Sequence, residues 1–439
     1  MKRYDTYIET NTSWLPVIPA DWAMIKLKHI CLMRAGKNLT SEQTSDYGRY
    51  PVYGGNGIRG YYSESNFSGD CCIVGRQGAL CGNVHRAKGE LWATEHAVLC
   101  VPKADVSLDY LYYLLTAMNL NQYSSDTAAQ PGLAVSSIVM LKGCIPPQVE
   151  QNQIVRYLDW QVSKINLLIA AKKQEIALFE ESKVNHIANA VLHGVRHHEH
   201  CIETTEFGSI PAHWQVIQNK RLFCERVEHT ETGTETLLSV SKHYGVKPSA
   251  ELTEDEQFAT IKPALSLVGY KVVRKNDLVM NIMRARNGSY GISDYDGIVS
   301  PAYCIYYTTK ECNVKYLHYF LRTPHVKSLF EAYSSGIAEH RRRLYPEDFL
   351  RLKSVLPPIE EQDEIVEHIE QAMVKYDAGI ANLRQQIACL QDMKTRLISD
   401  VVTGQVDVRG IEVQQYEIVE DTDTSGDSEE DTEGEEYEE

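Results

Sequence analysis

Apolar residues recur at Ile365, Ile369, Met373, Tyr376, Ile380, Leu383, Ile387 and Leu390, in steps of four and three. That spacing is an a/d heptad seam and predicts one long helix with a narrow apolar stripe. An equivalent stripe runs through Ile154, Leu158, Val162, Ile165, Ile169, Ile176 and Phe179, with Lys172 where the other copy has Leu383. Both stripes open on a proline pair and a Glu-Gln pair, Pro146-Pro147 with Glu150-Gln151 and Pro357-Pro358 with Glu361-Gln362. Proline has its φ near the helical value and needs no N–H in a first turn, while the polar pair sits at the positive end of the helix dipole. Gly194 and Gly404 close the two helices. A helix over 149–193 is on the order of 65 Å long at about 1.5 Å per residue. Narrow-striped helices of that length are buried most simply as an antiparallel pair.

The two stripes belong to a duplication. Ile145 to Lys183 returns as Leu356 to Lys394 at a constant offset of 211, and Ile18-Pro19-Ala20-Asp21-Trp22 returns as Ile210-Pro211-Ala212-His213-Trp214 at an offset of 192. Beyond Lys183 the offset slips to 210, an insertion that disturbs the seam locally. Ahead of each helix lie roughly 130 to 145 residues of short β-rich runs broken by glycine and aspartate. Here Asp109 to Leu115 answers Lys315 to Leu321, a short amphipathic helix in both copies. Asp70 to Gly78 and Asp277 to Gly288 both run from a strand into a basic glycine turn, whereas Gly54 to Tyr61 has no counterpart. A repeated scaffold with freely differing loops is what two readers of different targets require. The expected fold is α+β, a pseudo-twofold internal repeat of two tandem domains and two long antiparallel helices. The boundaries are 1–145 for the first domain, 146–194 for its helix, 195–209 for a linker, 210–356 for the second domain and 357–404 for its helix.

The formal charge of −16 argues against a nucleic-acid partner until its distribution is followed. Residues 411–439 hold 14 acidic and no basic residues, which leaves the remainder balanced at 44 basic against 46 acidic. So charged and apolar-poor a tail is expected to be disordered, as a solubilising appendage or a mimic of nucleic-acid charge. No apolar run reaches the roughly 18 to 20 residues of a membrane span, and the N-terminus has no secretory pattern, so the cytoplasm is expected. The eleven cysteines contain no C-x-x-C pair and fall mostly in apolar stretches, as reduced core residues do.

Catalytic motifs are missing: there is no phosphate loop, no G-x-S-x-G elbow, no H-E-x-x-H helix and no [ND]-P-P-[YF] of an adenine methyltransferase. His193, His197, His198, His200 and Cys201 invite a metal reading, but without a companion cluster they read as a solvated linker, and no metal is expected. Pro346-Glu347-Asp348 with Lys353 resembles a nuclease carboxylate set, yet it stands where helix-capping residues belong. Nucleic-acid contact has better support. Arginine and lysine serve phosphates or guanine edges, and asparagine and glutamine bond adenine bidentately. The loops gather these types as Asn56, Arg59, Arg76 and Gln77, then Lys242, Arg284, Arg286, Asn287 and Tyr290. Arg341, Arg342 and Arg343 follow the turn Ser334-Ser335-Gly336, and Thr127 to Gln130 occupies the equivalent place in the first copy.

With the two Ile-Pro-Ala-x-Trp openings, the two Pro-Pro-x-x-Glu-Gln helix starts and Val401-Val402-Thr403-Gly404, the chain resembles the specificity subunit of type I restriction-modification systems over roughly residues 10–410. The resemblance implies two target-recognition domains separated by an antiparallel coiled-coil pair, each reading one half of a split target in double-stranded DNA. It implies assembly with two methyltransferase subunits and with restriction-translocase subunits. It also implies that S-adenosylmethionine, ATP and Mg are used by those partners, leaving this chain non-catalytic and without a cofactor. The acidic tail, the histidine-rich linker and Lys172 in the seam depart from the family pattern. Two readings from other classes compete: a fused methyltransferase-nuclease with similar recognition domains, and a coiled-coil scaffold that binds only protein.

Overall fold

The computed structural model describes residues 2–77, 81–124, 132–242, 244–252, 266–336 and 342–419. The chain divides into two compact units, 1–175 with 383–439 and 176–382. Both boundaries fall inside long helices, α2 (Gln148–His193) and α6 (Ile359–Val402). No helix among the described residues is long and apolar enough to cross a membrane.

The first unit is built on an antiparallel sheet in the spatial order Cys31–Ala35, Ala97–Pro102, Cys71–Gly75, Val84–Ala87. The run Cys71-Cys72-Ile73-Val74 has no polar member because both its faces are covered. Cys72 and Val74 join the cluster of α1 (Leu108–Ala117), while Cys71 and Ile73 face a second cluster with Leu91 and Leu99. A second sheet, in the order Gly57–Tyr62, Tyr50–Gly54, Glu90–Ala93, Phe67–Ser68, carries one parallel pairing. Ala23–Lys26 pairs with Lys142–Ile145, and the latter runs through the proline pair directly into α2. The Ser107 side chain caps α1 by accepting from the Tyr110 N–H. Fully buried Tyr110 then donates its hydroxyl to the Cys144 carbonyl at 2.9 Å, tying α1 to the strand that launches α2.

The second unit repeats this plan. Its sheet runs Phe223–Glu225, Tyr303–Thr308, Leu278–Asn281, Tyr290–Ile292, and Gln215–Gln218 pairs with Lys353–Leu356 ahead of α6. Asn313 caps α3 (Val314–Leu321), and the Tyr316 hydroxyl lies 3.1 Å from the Val355 carbonyl, the counterpart of Cys144. The helices α4 (Pro324–Tyr333) and α5 (Pro346–Arg351) complete the unit, each with proline in its first turn.

Within each unit the two long helices pack antiparallel. In the first, Lys394 donates to Asn166 at 3.1 Å; in the second, Phe179 meets Tyr376 edge to face and Lys183 pairs with Asp377 at 2.5 Å. Ile154, Leu158, Ile365 and Ile369 enter the domain cores, and Ile165, Ile169, Ile380 and Leu383 are buried as well. Ile176, Phe179, Tyr376, Ile387 and Leu390 are half-buried, as is Lys172.

Two expectations are corrected. Residues 195–209 are not a free linker: Cys201–Thr204 pairs with Gly208–Pro211 in a hairpin, the counterpart of Tyr7–Glu9 with Val17–Pro19 in the first unit. Residues 411–419, expected to begin a disordered tail, lie along α2. There Gln153 donates to the Val408 and Ile411 carbonyls, and Ser163 and Asn166 bond the Val419 backbone. Ile411 and Val413 pack on the core, and this apolar contribution offsets the cost of ordering the segment. The remainder of the expected tail, 420–439, lies outside the described residues.

Candidate nucleic-acid interface

In the second unit the strand Leu278–Asn281 ends in a tight turn over Ala285–Asn287, closed by Gly288 at φ +89°, a conformation that favours glycine. The turn packs on α4. A Cβ at Gly288 would stand 3.2 Å from the Lys327 side chain and 3.8 Å from that of Lys242, so both lysines flank the turn. Arg322 anchors the same place, donating to the Tyr290 carbonyl at 2.8 Å and the Lys242 carbonyl at 2.5 Å. Burial and the neighbouring Arg322 charge hold the Lys327 ammonium below its usual range. Cations crowded and partly desolvated in this way favour an anion beside them, as a phosphate would be. Arg284, Asn287 and Lys242 are exposed at this surface and Arg286 is half-buried. The Arg286 Nε is buried without a partner among the described residues. The Leu344 N–H donates to the Ile282 carbonyl, which brings exposed Arg343 beside the same turn.

Two residues picked out by sequence leave the candidate surface. Tyr290 is fully buried, donates its hydroxyl to the Leu321 carbonyl and meets Phe330 edge to face, so it is a core residue. Arg342 spends its guanidinium on the Glu331 and Ser334 carbonyls at the C-terminal end of α4, where a helix leaves acceptors unsatisfied. Arg341 lies outside the described residues, as do Thr127 and Gln130. Lys327 and Arg322 are functional candidates that sequence reading missed, because their approach to residue 288 is made by packing across a long sequence separation.

The matching surface of the first unit is richer in amides. The hairpin tip Gly54-Gly55-Asn56-Gly57 folds over the end of strand Cys71–Gly75, where a Cβ at Gly55 would stand 3.4 Å from the His96 carbonyl and 3.6 Å from that of Gln77. Asn56 accepts from the Asn83 amide at 2.9 Å, which adds Asn83 to the candidates. Gln77 is exposed and forms a bridge with Gly132, and the Leu133 N–H donates to the Arg76 carbonyl. Leu133 and Leu344 stand at the same offset of 211 as the helices, and both are buried. One framework therefore presents both loop sets. Arg76 donates to the Leu133 carbonyl at 3.3 Å and braces the loop, while exposed Arg59 reaches the Leu39 carbonyl at 2.6 Å.

The Pro-Pro-x-x-Glu-Gln motif proves to be a joint. Each glutamine is buried: Gln151 bonds the Ser107 N–H and the Asp105 and Pro146 carbonyls, and Gln362 bonds the Asn313 N–H and the Pro357 carbonyl. Each amide thus locks a long helix to the cap of the short helix beside it. Glu361 accepts from the Trp214 indole at 2.9 Å, whereas Glu150 accepts from the Tyr4 hydroxyl. The residues resembling a carboxylate set have local partners, Asp348 with Arg351 and Lys353 with Glu206; Glu347 and Asp348 stand in the first turn of α5, whose N-cap Tyr345 makes no side-chain cap bond.

Comparison with known proteins agrees with this architecture. Residues 19–178 match the type I restriction modification DNA specificity domain. The specificity subunit of the Escherichia coli type I restriction enzyme EcoprrI is 46% identical over 137 residues, covering 30% of this chain and 34% of that protein, so the chain spans about a third of that relative's length in the match. A putative type I restriction enzyme specificity subunit of Haemophilus influenzae is 21% identical over 73% of this chain and 79% of its own length. A solved structure described as the structural basis of complex assembly and conformational transition of the type I restriction-modification system shares the fold, with a TM-score of 0.54 and 14% identity over 89% of this chain and 99% of that one. The chain thus carries a type I restriction modification DNA specificity domain match over residues 19–178 and is similar to type I restriction enzyme specificity subunits, and it shares its fold with a solved type I restriction-modification structure.

Proposed function

We propose that this chain reads a split sequence in double-stranded DNA, one half through the loops around Asn56, Arg59, Gln77 and Asn83, the other through those around Lys242, Arg284, Arg286, Asn287, Lys327 and Arg343. The observation that carries the reading is the equivalent placement of two chemically different loop sets on one repeated framework, amide-rich in the first unit and cationic in the second. Lysines beside the Gly288 turn fix register on phosphates, and arginine and amide groups read base edges. The 46 residues of α2 and 44 of α6 set the unread gap between the half-sites. The chain recruits two methyltransferase subunits, which bind S-adenosylmethionine and methylate adenine, and ATP- and Mg-dependent restriction subunits for cleavage. It contributes recognition and no reactive group.

Binding selection on randomised duplexes, with the chain in complex with its methyltransferase subunits, tests this. Arg286→Ala relaxes one position of one half-site at a cost of about 1 to 3 kcal/mol and leaves the other half unchanged. Relaxation in both halves, or affinity insensitive to salt, contradicts the reading.

A further inference from the structure

We propose that His198, His213 and Glu361 form a binding site for one zinc ion, which cross-links the segment after α2 to the start of α6 within the second unit. Ligand atoms of the three side chains lie within 4.8 Å of one another. Tetrahedral zinc with bonds of about 2.0 to 2.1 Å places its ligands roughly 3.3 Å apart, so closing on an ion needs only small side-chain movements. The His213 Nε2 already stands 2.6 Å from the Glu361 Oε1, and the other carboxylate oxygen is held by the Trp214 indole, which orients the group. The His198 ring packs against His213 and Trp214, and its Nε2 is buried without a hydrogen-bond partner among the described residues. Buried polar atoms left unpaired in a folded protein need an explanation, and a metal-ligand role supplies one.

The donor set selects the metal class. Two imidazoles and one carboxylate suit zinc, while magnesium and calcium prefer oxygen alone. A cleft lined by His193, Gly194, Arg196, His197, His198 and Cys201 opens beside the cluster and leaves solvent access for a fourth ligand. The duplication shows that the scaffold does not need these histidines. At matched offsets the first unit has Asp21 for His213 and Val408 for His198, and there Glu150 is satisfied by the Tyr4 hydroxyl. The same joint is built twice, and of the two copies the second carries the imidazoles.

The test uses the full-length chain purified without a histidine tag and stripped with chelator. Titration with Zn²⁺ by calorimetry, and with Co²⁺ followed by visible absorption, gives one equivalent and a four-coordinate spectrum, and zinc raises the melting temperature in a chelator-reversible way. His198→Ala and His213→Gln each weaken binding by more than about tenfold, the loss that even an outer-shell change brings. His368→Ala, which alters the stacked His186 and His368 pair on the helices, leaves it unchanged. Unaltered melting of the metal-free variants shows that they are folded. The proposal is overturned if no stoichiometric binding occurs at about micromolar zinc, if both cluster variants bind as the parent does, or if binding is lost in His368→Ala.

Discussion

Gln362→Leu removes the amide that joins α6 to the cap of α3 while nearly preserving side-chain volume. The Gln362 Oε1 accepts from the Asn313 N–H at 2.8 Å and its Nε2 donates to the Pro357 carbonyl at 2.7 Å, with the side chain 1% exposed. Leucine leaves the part-buried Asn313 N–H and the buried Pro357 carbonyl unpaired, at about 1 to 3 kcal/mol each, or roughly 4 kcal/mol together. For a unit of this size each kcal/mol moves the melting temperature by about 2 to 4 °C, so the second unit should melt about 8 to 16 °C lower. Scanning calorimetry of the full chain measures this, with exposed Glu360→Ala as the control that stays within about 0.5 kcal/mol. Hydrogen exchange localises it: the Asn313 amide and the first turn of α3 should lose protection before the rest of the unit. If Gln362→Leu melts with the control, the buried amide is not what joins helix to domain.

Three further outcomes follow from single contacts. Burial holds the His318 imidazole down at about 4, against about 6.5 when unfolded. The folded chain therefore binds fewer protons, and this contribution is complete above pH 6.5 and is lost as pH falls toward 4, by up to about 3 kcal/mol; urea melts at pH 7 and 4.5 should show it, and His318→Asn should flatten the difference. Gly404 sits at φ +74° with Pro19 only 2.5 Å from where a Cβ would lie, whereas Gly89 at φ +82° has nothing within 4 Å. Gly404→Ala should cost more than about 2 kcal/mol and Gly89→Ala about 1 kcal/mol, and equal losses by chemical denaturation would reject the collision. Arg86 pairs with Asp109 at 2.8 Å and with buried Asp159 at 3.1 Å while lying over the Tyr112 ring, so Arg86→Met strands a carboxylate and should destabilise the first unit by about 3 to 5 kcal/mol. A loss under about 1 kcal/mol would place that cluster in solvent.

Periodic and local features were legible from the chain alone. The heptad stripes, the closing glycines at 194 and 404 and the offset of 211 required nothing beyond residue spacing, because helix geometry repeats every few residues. The loops that carry the candidate interface were also visible, as basic or amide-rich turns following apolar strands. Their composition could not say which side chains face outward. Arg342 and Arg343 are neighbours with the same chemistry, yet one satisfies the last carbonyls of α4 and the other is exposed. Tyr290 follows an Asn-Gly turn as a contact residue would, and packing against Phe330 takes it into the core. The stretch 195–209 looked like a linker because its hairpin has no apolar alternation, and its order comes from pairing with the strand before Trp214. In 411–419 the apolar Ile411 and Val413 were a signal outweighed by the acidic run behind them. Partners such as Lys327 for the Gly288 turn, or Glu361 for Trp214 and His213, come together only when distant elements pack. Spacing along the chain determines which elements form; which polar groups remain free to act depends on what every other buried donor and acceptor has already claimed.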